Sequence, residues 1–205
     1  TVELFGKNAT VPFINGCDNS YHPCQILADA LTILEKFGTL DVNLMYIGAK
    51  NNVFNSHVEF FSKMKKGTLY GLTPLVNETA CGPDFYEEAK KSGHYIELDP
   101  SMSMEEAKEY ANKMDVLYTD TWVDMEFFNN PAYQKQKEET LAKMMPYQLN
   151  GDFTKDSKAI VFHDMPMHVG FEISQDVVDK NLDHILDEAE NRRHAEKAVM
   201  YTLLN

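Results

Sequence analysis

The sequence predicts an α/β protein with a mostly parallel sheet and helices on both faces. Short apolar runs typical of buried strands recur along the chain, and amphipathic stretches with helical spacing lie between them. Because each crossover helix returns the chain to the same end of the sheet, this alternation favours parallel strands. The strand-like runs lie at 42–48, 68–74, 95–98, 115–120 and 159–166. Ligands of such folds bind where the strands end, so we expect a site in the segments after these runs.

Start and stop signals bound the predicted helices. The first apolar helical stripe follows Pro23, a residue favoured at the first helical position, and it ends at Gly38, a typical C-terminal residue. Ser103 with Glu106 has the pattern of a capping box, which predicts a helix over 103–114. We expect further helices at 55–66, 84–93 and 130–144, a closing helix from about Glu188, and a short strand at 10–16.

The composition limits the classes of function. The 205 residues carry a formal net charge of −13, which disfavours a general binder of nucleic acids or anionic membranes. Three cysteines without paired spacing predict a reduced, intracellular protein; we expect the cytoplasm and leave the mitochondrial matrix open. No apolar run approaches the ~20 residues of a membrane span, and no secretion signal is present. Because the first residue is Thr1, we expect a processed or truncated product.

The segment after the run at 42–48 carries amides in place of a nucleotide-binding motif. It reads GAKNNVFNS, which is neither the glycine fingerprint of dinucleotide binders nor a Walker A sequence. Asn51, Asn52 and Asn55 offer amides at the start of a helix, an arrangement that suits a carboxylate. The same residues also serve as helix caps. For Asn55 capping is the simpler interpretation, whereas both interpretations stay open for Asn51 and Asn52.

Acidic residues surround the single tryptophan after the run at 115–120. Asp120 and Asp124 flank Trp122 and could bind a cationic amine. From these residues alone, a solvated loop with a packed Trp122 is the simpler interpretation.

The segment after the next strand holds His163, Asp164 and His168. Two histidines five positions apart, with a proline between them, match no helical metal motif such as HExxH. We therefore predict no metal site and no cofactor.

Two arginines lie near the predicted start of the closing helix. A cation there opposes the helix dipole, so Arg192 and Arg193 require compensation. An anionic ligand would supply it, but the neighbouring acids Glu188 and Glu190 are the commoner explanation.

His22 and Gln25 lie at the start of the first helix. They are three residues apart and therefore project near the same helix end. A histidine, an amide and a helix N-terminus together can polarise a carbonyl or phosphate oxygen. Taken alone, a His-Pro start is more often only a cap.

Together, these stretches resemble the aspartate/ornithine carbamoyltransferase family, most closely its ornithine enzymes. The resemblance covers essentially the whole chain, and the elements come in family order. They are HPCQ at 22–25, NNVFNS at 51–56, YTDTWVDM at 118–125, HDMPMH at 163–168 and DEAENRRHAEKA at 187–198. The resemblance implies transfer of a carbamoyl group from carbamoyl phosphate to an amine, by two α/β domains that assemble as a homotrimer.

The resemblance also implies a domain division. Residues 1–38 would be the last strand and helix of the carbamoyl-phosphate-binding domain, 39–185 the Rossmann-like acceptor-binding domain, and 186–205 a helix that returns to the first domain. The family's phosphate-binding Ser-Thr-Arg-Thr stretch lies upstream of HPCQ and is absent here. We therefore expect the C-terminal two-thirds of an enzyme.

Residue roles follow from the resemblance one position at a time. His22 and Gln25 match residues that contact the carbamoyl group, and Arg192 matches an arginine that reaches carbamoyl phosphate. Asn52 matches the amide that takes the acceptor's α-carboxylate, and Asp120 matches the acid that holds its α-amino group. Met165–Pro166 falls where the family has a cis peptide bond.

The chain departs from the ornithine enzymes at the acceptor site. Asp164 and Met165 replace the Cys and Leu of His-Cys-Leu-Pro, and Asp124, Met125 and Glu126 replace Ser-Met-Gly. Added carboxylates beside Asp120 favour a cationic acceptor and disfavour aspartate. Ornithine is expected from the family, a diamine or other basic amine is the alternative, and a non-catalytic fragment or paralogue is a further one. From its position alone, Asp164 is expected to orient the amine or accept its proton.

Overall fold

The computed structural model describes residues 2–123 and 125–205, and within them five strands form one sheet. The strand order is β3-β2-β1-β4-β5, and all four neighbouring pairs are parallel. The strands are β1 (Asn43–Lys50), β2 (Thr68–Val76), β3 (Tyr95–Glu97), β4 (Val116–Thr119) and β5 (Ile160–His163). The predicted α/β fold with a parallel sheet is confirmed.

The predicted helices are present with differences at their ends, and two further helices, at Val2–Asn8 and Met125–Phe128, were not predicted. They are α1 (Val2–Asn8), α2 (Pro23–Phe37), α3 (Asn52–Met64), α4 (Pro83–Lys90), α5 (Met104–Ala111), α6 (Met125–Phe128), α7 (Gln134–Met144) and α8 (Gln175–Leu204). Short 3₁₀ turns cover Pro131–Tyr133 and Met145–Tyr147. Gly38, at φ 69°, ends α2 as predicted, and Ser103 with Glu106 forms the predicted capping box of α5. None of the described helices is both long and apolar enough to cross a membrane.

The strand predicted at 10–16 is wrong. These residues form no strand, and helix α1 precedes them. A strand persists only when a neighbour accepts and donates its backbone hydrogen bonds. No described strand lies beside 10–16, because the sheet ends at β3 on one side and at β5 on the other.

The closing helix begins at Gln175, well before the predicted Glu188. Its first half is held by the buried residues Val177, Val178 and Ile185, which pack into the core on one face of the sheet. As a result, Arg192 lies far from the helix N-terminus. The expected conflict between this arginine and the helix dipole is therefore wrong, because that effect is confined to the terminal turns.

Both faces of the sheet are covered. Leu44 and Tyr46 of β1 face a core shared with α3 and α4, while Met45 and Ile47 face a core shared with α5 and α8. This alternation follows from the two-residue period of a strand. A parallel sheet buried on both faces explains why β1 reads as an uninterrupted apolar run.

The strand order reverses between β1 and β4. From β1 the chain adds β2 and β3 on one side, and then returns to add β4 and β5 on the other. The segments that leave β1 and β4 therefore diverge and open a crevice at the carboxyl edge of the sheet. Above the same region α2 packs along α8, which brings the start of the first long helix against the middle of the last.

Candidate functional site

Asn51 and Asp120 meet at the point where the strand order reverses. The Asn51 amide donates to Asp120 Oδ2 at 2.6 Å, and its oxygen accepts from the backbone N–H of Phe54 at 3.0 Å. The hydroxyl of Tyr46 donates to the same oxygen at 3.3 Å. Capping is therefore confirmed for Asn51, and its amide also fixes the Asp120 carboxylate.

Asn52 holds the loop that precedes α2. Its amide donates to the carbonyl of Asp18 at 2.9 Å and to Cys17 Sγ at 3.4 Å. Its own oxygen accepts from the N–H of Val53. Binding of an acceptor carboxylate by Asn52 stays a prediction, and it requires this amide to exchange partners.

Asn55 lies inside α3 and is fully buried, so the capping interpretation is wrong for this residue. Its amide donates to the carbonyls of Ser20 and Thr79, each at 2.8 Å. Its oxygen accepts from the Tyr86 hydroxyl at 2.6 Å and from the N–H of Cys81 at 3.2 Å. Asn55 therefore ties together the loops that border the crevice.

Asp120 is buried, 5% exposed, and Trp122 behind it is also buried. Asp120 Oδ1 accepts from the backbone N–H of Thr121 at 2.5 Å, while Asn51 serves its other oxygen. For Asp120 the interpretation as a solvated residue is wrong, because these donors hold the carboxylate inside the protein, whereas the packed Trp122 is confirmed. Asp124 lies outside the described residues, as do the side chains of Met125 and Glu126.

Asp164 forms a pair with Asp120 at the ends of adjacent strands β5 and β4. Burial raises the pKa of Asp164 well above its usual range, and the Asp120 charge together with a hydrogen bond between the carboxyls adds to the rise. Its side chain is 12% exposed, and Oδ1 lies 3.5 Å from His163 Nδ1. Burial thus favours the neutral form of Asp164 over its carboxylate.

His163 has a defined tautomer. Its Nδ1 accepts from the N–H of Met165 at 3.0 Å, so Nε2 carries the proton and faces Glu172 Oε1 at 3.3 Å. His168 instead stacks on Phe128, with ring centroids 3.6 Å apart. Across residues 2–123 and 125–205, no three His, Cys, Asp or Glu side chains are arranged to hold a metal ion. The Met165–Pro166 bond is cis, as the resemblance implied, and Met165 is 40% exposed.

His22, Gln25 and Arg192 come together where α2 meets α8. Arg192 donates to Gln25 Oε1 at 2.7 Å, and its second terminal nitrogen lies 3.2 Å from Glu196. Burial, followed by the charge of Arg192, lowers the pKa of His22. His22 occupies the N-cap position without a side-chain capping bond, so its imidazole is left for another role.

Two buried donor positions in this group lack partners within the described part of the chain. They are Nδ1 of His22 and Nε of Arg192. Buried polar atoms are nearly always satisfied, and the charge of Arg192 acts on His22, so this group is a candidate position for a ligand oxygen. Arg193, by contrast, is exposed and pairs with Glu190, as the compensating-acid explanation predicted.

Comparison with known proteins agrees with this geometry. Residues 40–203 match the family model described as aspartate/ornithine carbamoyltransferase, Asp/Orn binding domain. The chain belongs to this family. It is similar to the ornithine carbamoyltransferases of Archaeoglobus fulgidus, at 34% identity over 100% of this chain and 63% of the relative, and of Pyrococcus horikoshii, at 37% over 99% and 62%. The crystal structure of the Thermus thermophilus ornithine carbamoyltransferase matches with a TM-score of 0.78 at 30% identity, covering 100% of this chain and 63% of that one.

The chain thus spans about three fifths of the length of these carbamoyltransferases. Its α2 and α8 meet as a pair, which brings Gln25 and Arg192 into contact from opposite ends of the chain. The family resemblance therefore holds in three dimensions as well as in the order of the motifs.

Three residues beside this candidate site were not predicted as site residues from the sequence. Asp29 and Glu188 both contact the Gln25 amide, and His57 faces Asp29 at 3.3 Å. A signal did exist for two of them. Asp29 follows Gln25 by four residues and Glu188 precedes Arg192 by four, so each shares a helix face with a predicted site residue. His57 lies on a third helix and had no such signal.

Proposed function

We propose that this chain forms the acceptor-binding part of a carbamoyltransferase that transfers the carbamoyl group of carbamoyl phosphate to ornithine, giving citrulline and phosphate. One observation carries most weight: Arg192 and Gln25 are hydrogen bonded beside His22, with two buried donors lacking partners in the described residues. The names of the similar proteins support the choice of ornithine.

On the carbonyl side, His22 and Arg192 would bind the carbamoyl oxygen. The lowered pKa of His22 keeps its imidazole neutral near pH 7, so it donates one hydrogen bond without adding a charge next to Arg192. The guanidinium supplies the positive charge that stabilises the oxygen as negative charge develops. Gln25 would act through Arg192, because its own N–H groups are directed at Asp29 and Glu188.

On the acceptor side, Asp120 would accept hydrogen bonds from the α-ammonium group and Asn52 would bind the α-carboxylate. The neutral acceptor amine attacks the carbamoyl carbon, a C–N bond forms, and the C–O bond to phosphate breaks. The leaving phosphate takes both the bonding electron pair and the proton that the amine loses. Asp164, being neutral, would orient the amine by hydrogen bonding instead of accepting its proton. Asp124, Met125 and Met165 would line the rest of the acceptor site.

A diamine or another cationic amine is the second candidate acceptor. The observation that favours it is the Asp120–Asp164 pair, because a second buried carboxyl can ionise when an additional cation enters the crevice. A chain without catalytic activity, which binds the acceptor only, is the candidate of a different class.

The decisive experiment supplies carbamoyl phosphate with ornithine, lysine, putrescine or agmatine, in separate reactions. It uses this 205-residue chain and, in parallel, the full-length product of its gene. Formation of the ureido product from ornithine alone supports the proposal, and product from a diamine alone supports the second candidate. If the full-length protein binds these amines but consumes no carbamoyl phosphate, the carbamoyltransferase activity is refuted.

The proposal extends to the assembled protein. The division into 1–38, 39–185 and 186–205 is supported by the packing of α2 along α8, which would join the first and last units. A homotrimer, a place in arginine metabolism and a cytoplasmic location are what the family resemblance implies. Analytical ultracentrifugation of the full-length protein tests the trimer.

A further inference from the structure

The Gln25 amide has a single orientation set by its neighbours. Its Nε2 donates to Asp29 Oδ1 at 2.9 Å and also to Glu188 Oε1, and its oxygen accepts from Arg192 at 2.7 Å. The side chain is fully buried, so no solvent competes for these bonds. Rotating the amide by half a turn would place N–H groups against the guanidinium and an oxygen against two carboxyls. That arrangement loses every hydrogen bond of the group.

We propose that Asp29, Glu188 and His57 are positioning residues that hold the Gln25 oxygen toward Arg192 and thereby aim the guanidinium at the carbamoyl oxygen. This inference rests on the proposed carbamoyl transfer and names three residues that would act on it without touching the substrate.

Two carboxyl groups that share one amide nitrogen cannot both be charged at low cost. Burial, and next the charge of Asp29, raises the pKa of Glu188 to about 11, while Gln25 and Arg192 oppose the rise. Glu188 is therefore a neutral acid near pH 7.

His57 faces the second carboxyl oxygen of Asp29. Its Nδ1 lies 3.1 Å from the carbonyl of Val53, which only accepts hydrogen bonds, so this nitrogen carries a proton. Its Nε2 lies 3.3 Å from Asp29 Oδ2, and the ring packs edge-on against Tyr118 with centroids 4.5 Å apart. Nε2 and Asp29 Oδ2 form no hydrogen bond with each other, so His57 limits the position of Asp29 from α3 by packing contact alone.

Five titratable or charged groups interact with Glu188 or with the residues beside it, and they come from α2, α3, β4, the segment after β5 and α8. These groups are Asp29 on α2, His57 on α3, Tyr118 on β4, Asp164 after β5 and Arg192 on α8 itself. Arg192 is the cation nearest the proposed substrate position, so the orientation of Gln25 decides where that charge points.

The test compares two substitutions at one position. In Glu188→Gln, the new amide oxygen can accept from Gln25 and its N–H can donate to Asp29, as the neutral acid does. In Glu188→Leu both contacts are lost. Glu190→Gln, which removes an exposed acid on the same helix, is the matched control.

The first readout is hydrogen exchange of the ¹⁵N-labelled Gln25 side-chain amide in the 205-residue chain. We expect the wild type, Glu188→Gln and Glu190→Gln to exchange equally slowly, and Glu188→Leu to exchange about tenfold faster for the loss of one buried hydrogen bond. The second readout is turnover by the full-length protein. There we expect Glu188→Leu to lower kcat about tenfold with the KM for ornithine unchanged, and Glu188→Gln to retain wild-type kcat.

Equal effects of Glu188→Gln and Glu188→Leu on exchange and kcat would overturn the inference, as would a wild-type exchange rate in Glu188→Leu. If Glu188→Leu does not fold, the pH dependence of the thermal unfolding midpoint tests the protonation of Glu188 instead.

The midpoint of the wild type should decrease as the pH rises from about 6 to about 9, and the decrease should be smaller in Glu188→Gln. An identical slope in both proteins would refute a neutral Glu188. A further outcome separates the two proposals. If neither the wild type nor any variant transfers a carbamoyl group but the amide exchange rates are as expected, the proposed function is refuted and the positioning of Gln25 is supported.

Discussion

The Arg192 guanidinium donates a hydrogen bond to the Gln25 side-chain oxygen at 2.7 Å, although the two residues are 167 positions apart in the chain. The contact exists because α2 and α8, near opposite ends of the sequence, pack along each other above the carboxyl edge of the sheet. The candidate carbonyl-binding group is thus built by helix packing, and the acceptor crevice is built by the strand order.

Replacing Arg192 tests the charge at the centre of this group. We expect Arg192→Lys to lower kcat of the full-length protein by about 10²–10³, because lysine cannot bind both Gln25 and a substrate oxygen as the guanidinium fork does. Steady-state kinetics with saturating ornithine measures the effect. Arg193→Lys is the control, since Arg193 is exposed and pairs only with Glu190 among the described residues. Equal losses in both variants would remove Arg192 from the proposed site.

The protonation of Asp164 makes a distinct prediction. We expect Asp164→Asn to keep kcat within about twofold of the wild type, because an amide mimics the neutral acid that burial and Asp120 produce. Asp120→Asn should instead raise the KM for ornithine by about tenfold or more, as it removes the carboxylate that would bind the α-ammonium group. A hundredfold loss of kcat in Asp164→Asn would show that Asp164 accepts the amine proton after all.

Acid should destabilise the protein through the half-buried His184. Burial, followed by the charge of Lys36, lowers the pKa of His184 on α8. The unfolded chain then binds a proton before the folded one as the pH falls below about 6.5, so stability declines with acidification. We expect the thermal midpoint of His184→Gln to fall less than that of the wild type between about pH 7 and pH 5.

The control for this titration is His194→Gln, a more exposed histidine on the same helix. Each variant differs from the wild type in one histidine only. The difference in the slope of thermal midpoint against pH between wild type and His184→Gln therefore reports on His184. Parallel curves for wild type and His184→Gln would contradict the prediction.

Gly71 tests the packing of the sheet against α3. A Cβ at this position of β2 would lie 2.6 Å from the Phe54 ring and 3.3 Å from the Tyr95 ring. Both rings are buried, so Gly71→Ala should destabilise the fold by about 1–3 kcal/mol. Denaturant unfolding measures the change. Gly16→Ala, where a Cβ meets no atom within 4 Å, should leave the free energy of unfolding nearly unchanged.

Local patterns in the sequence were enough to predict most of the elements. The capping box of Ser103 and Glu106 and the C-terminal Gly38 are satisfied by neighbours close in sequence, so the pattern is a sufficient guide there. The apolar run over β1 predicts a strand buried on both faces, but its pairing partners β2 and β4 lie elsewhere in the chain. The strand expected at 10–16 failed because strand formation requires a pairing partner from elsewhere.

The order of the motifs indicated which residues would lie close together. The polar contacts around those residues depended on how separate helices and strands pack. His22, Gln25 and Arg192 were expected together from resemblance. The Asn51–Asp120 bond and the His57–Asp29 contact were not, whereas Asp164 was expected beside Asp120.

Spacing along one chain defines helix faces and strand periods, and these suffice for the architecture and for the residue types near a site. Protonation and amide orientation depend on burial and on charges supplied by other helices and strands, as Glu188 and Gln25 demonstrate. Those quantities arise only once α2, α3 and α8 pack around the same few atoms. The identity of the site residues was therefore accessible in advance, whereas their charge states followed from the fold.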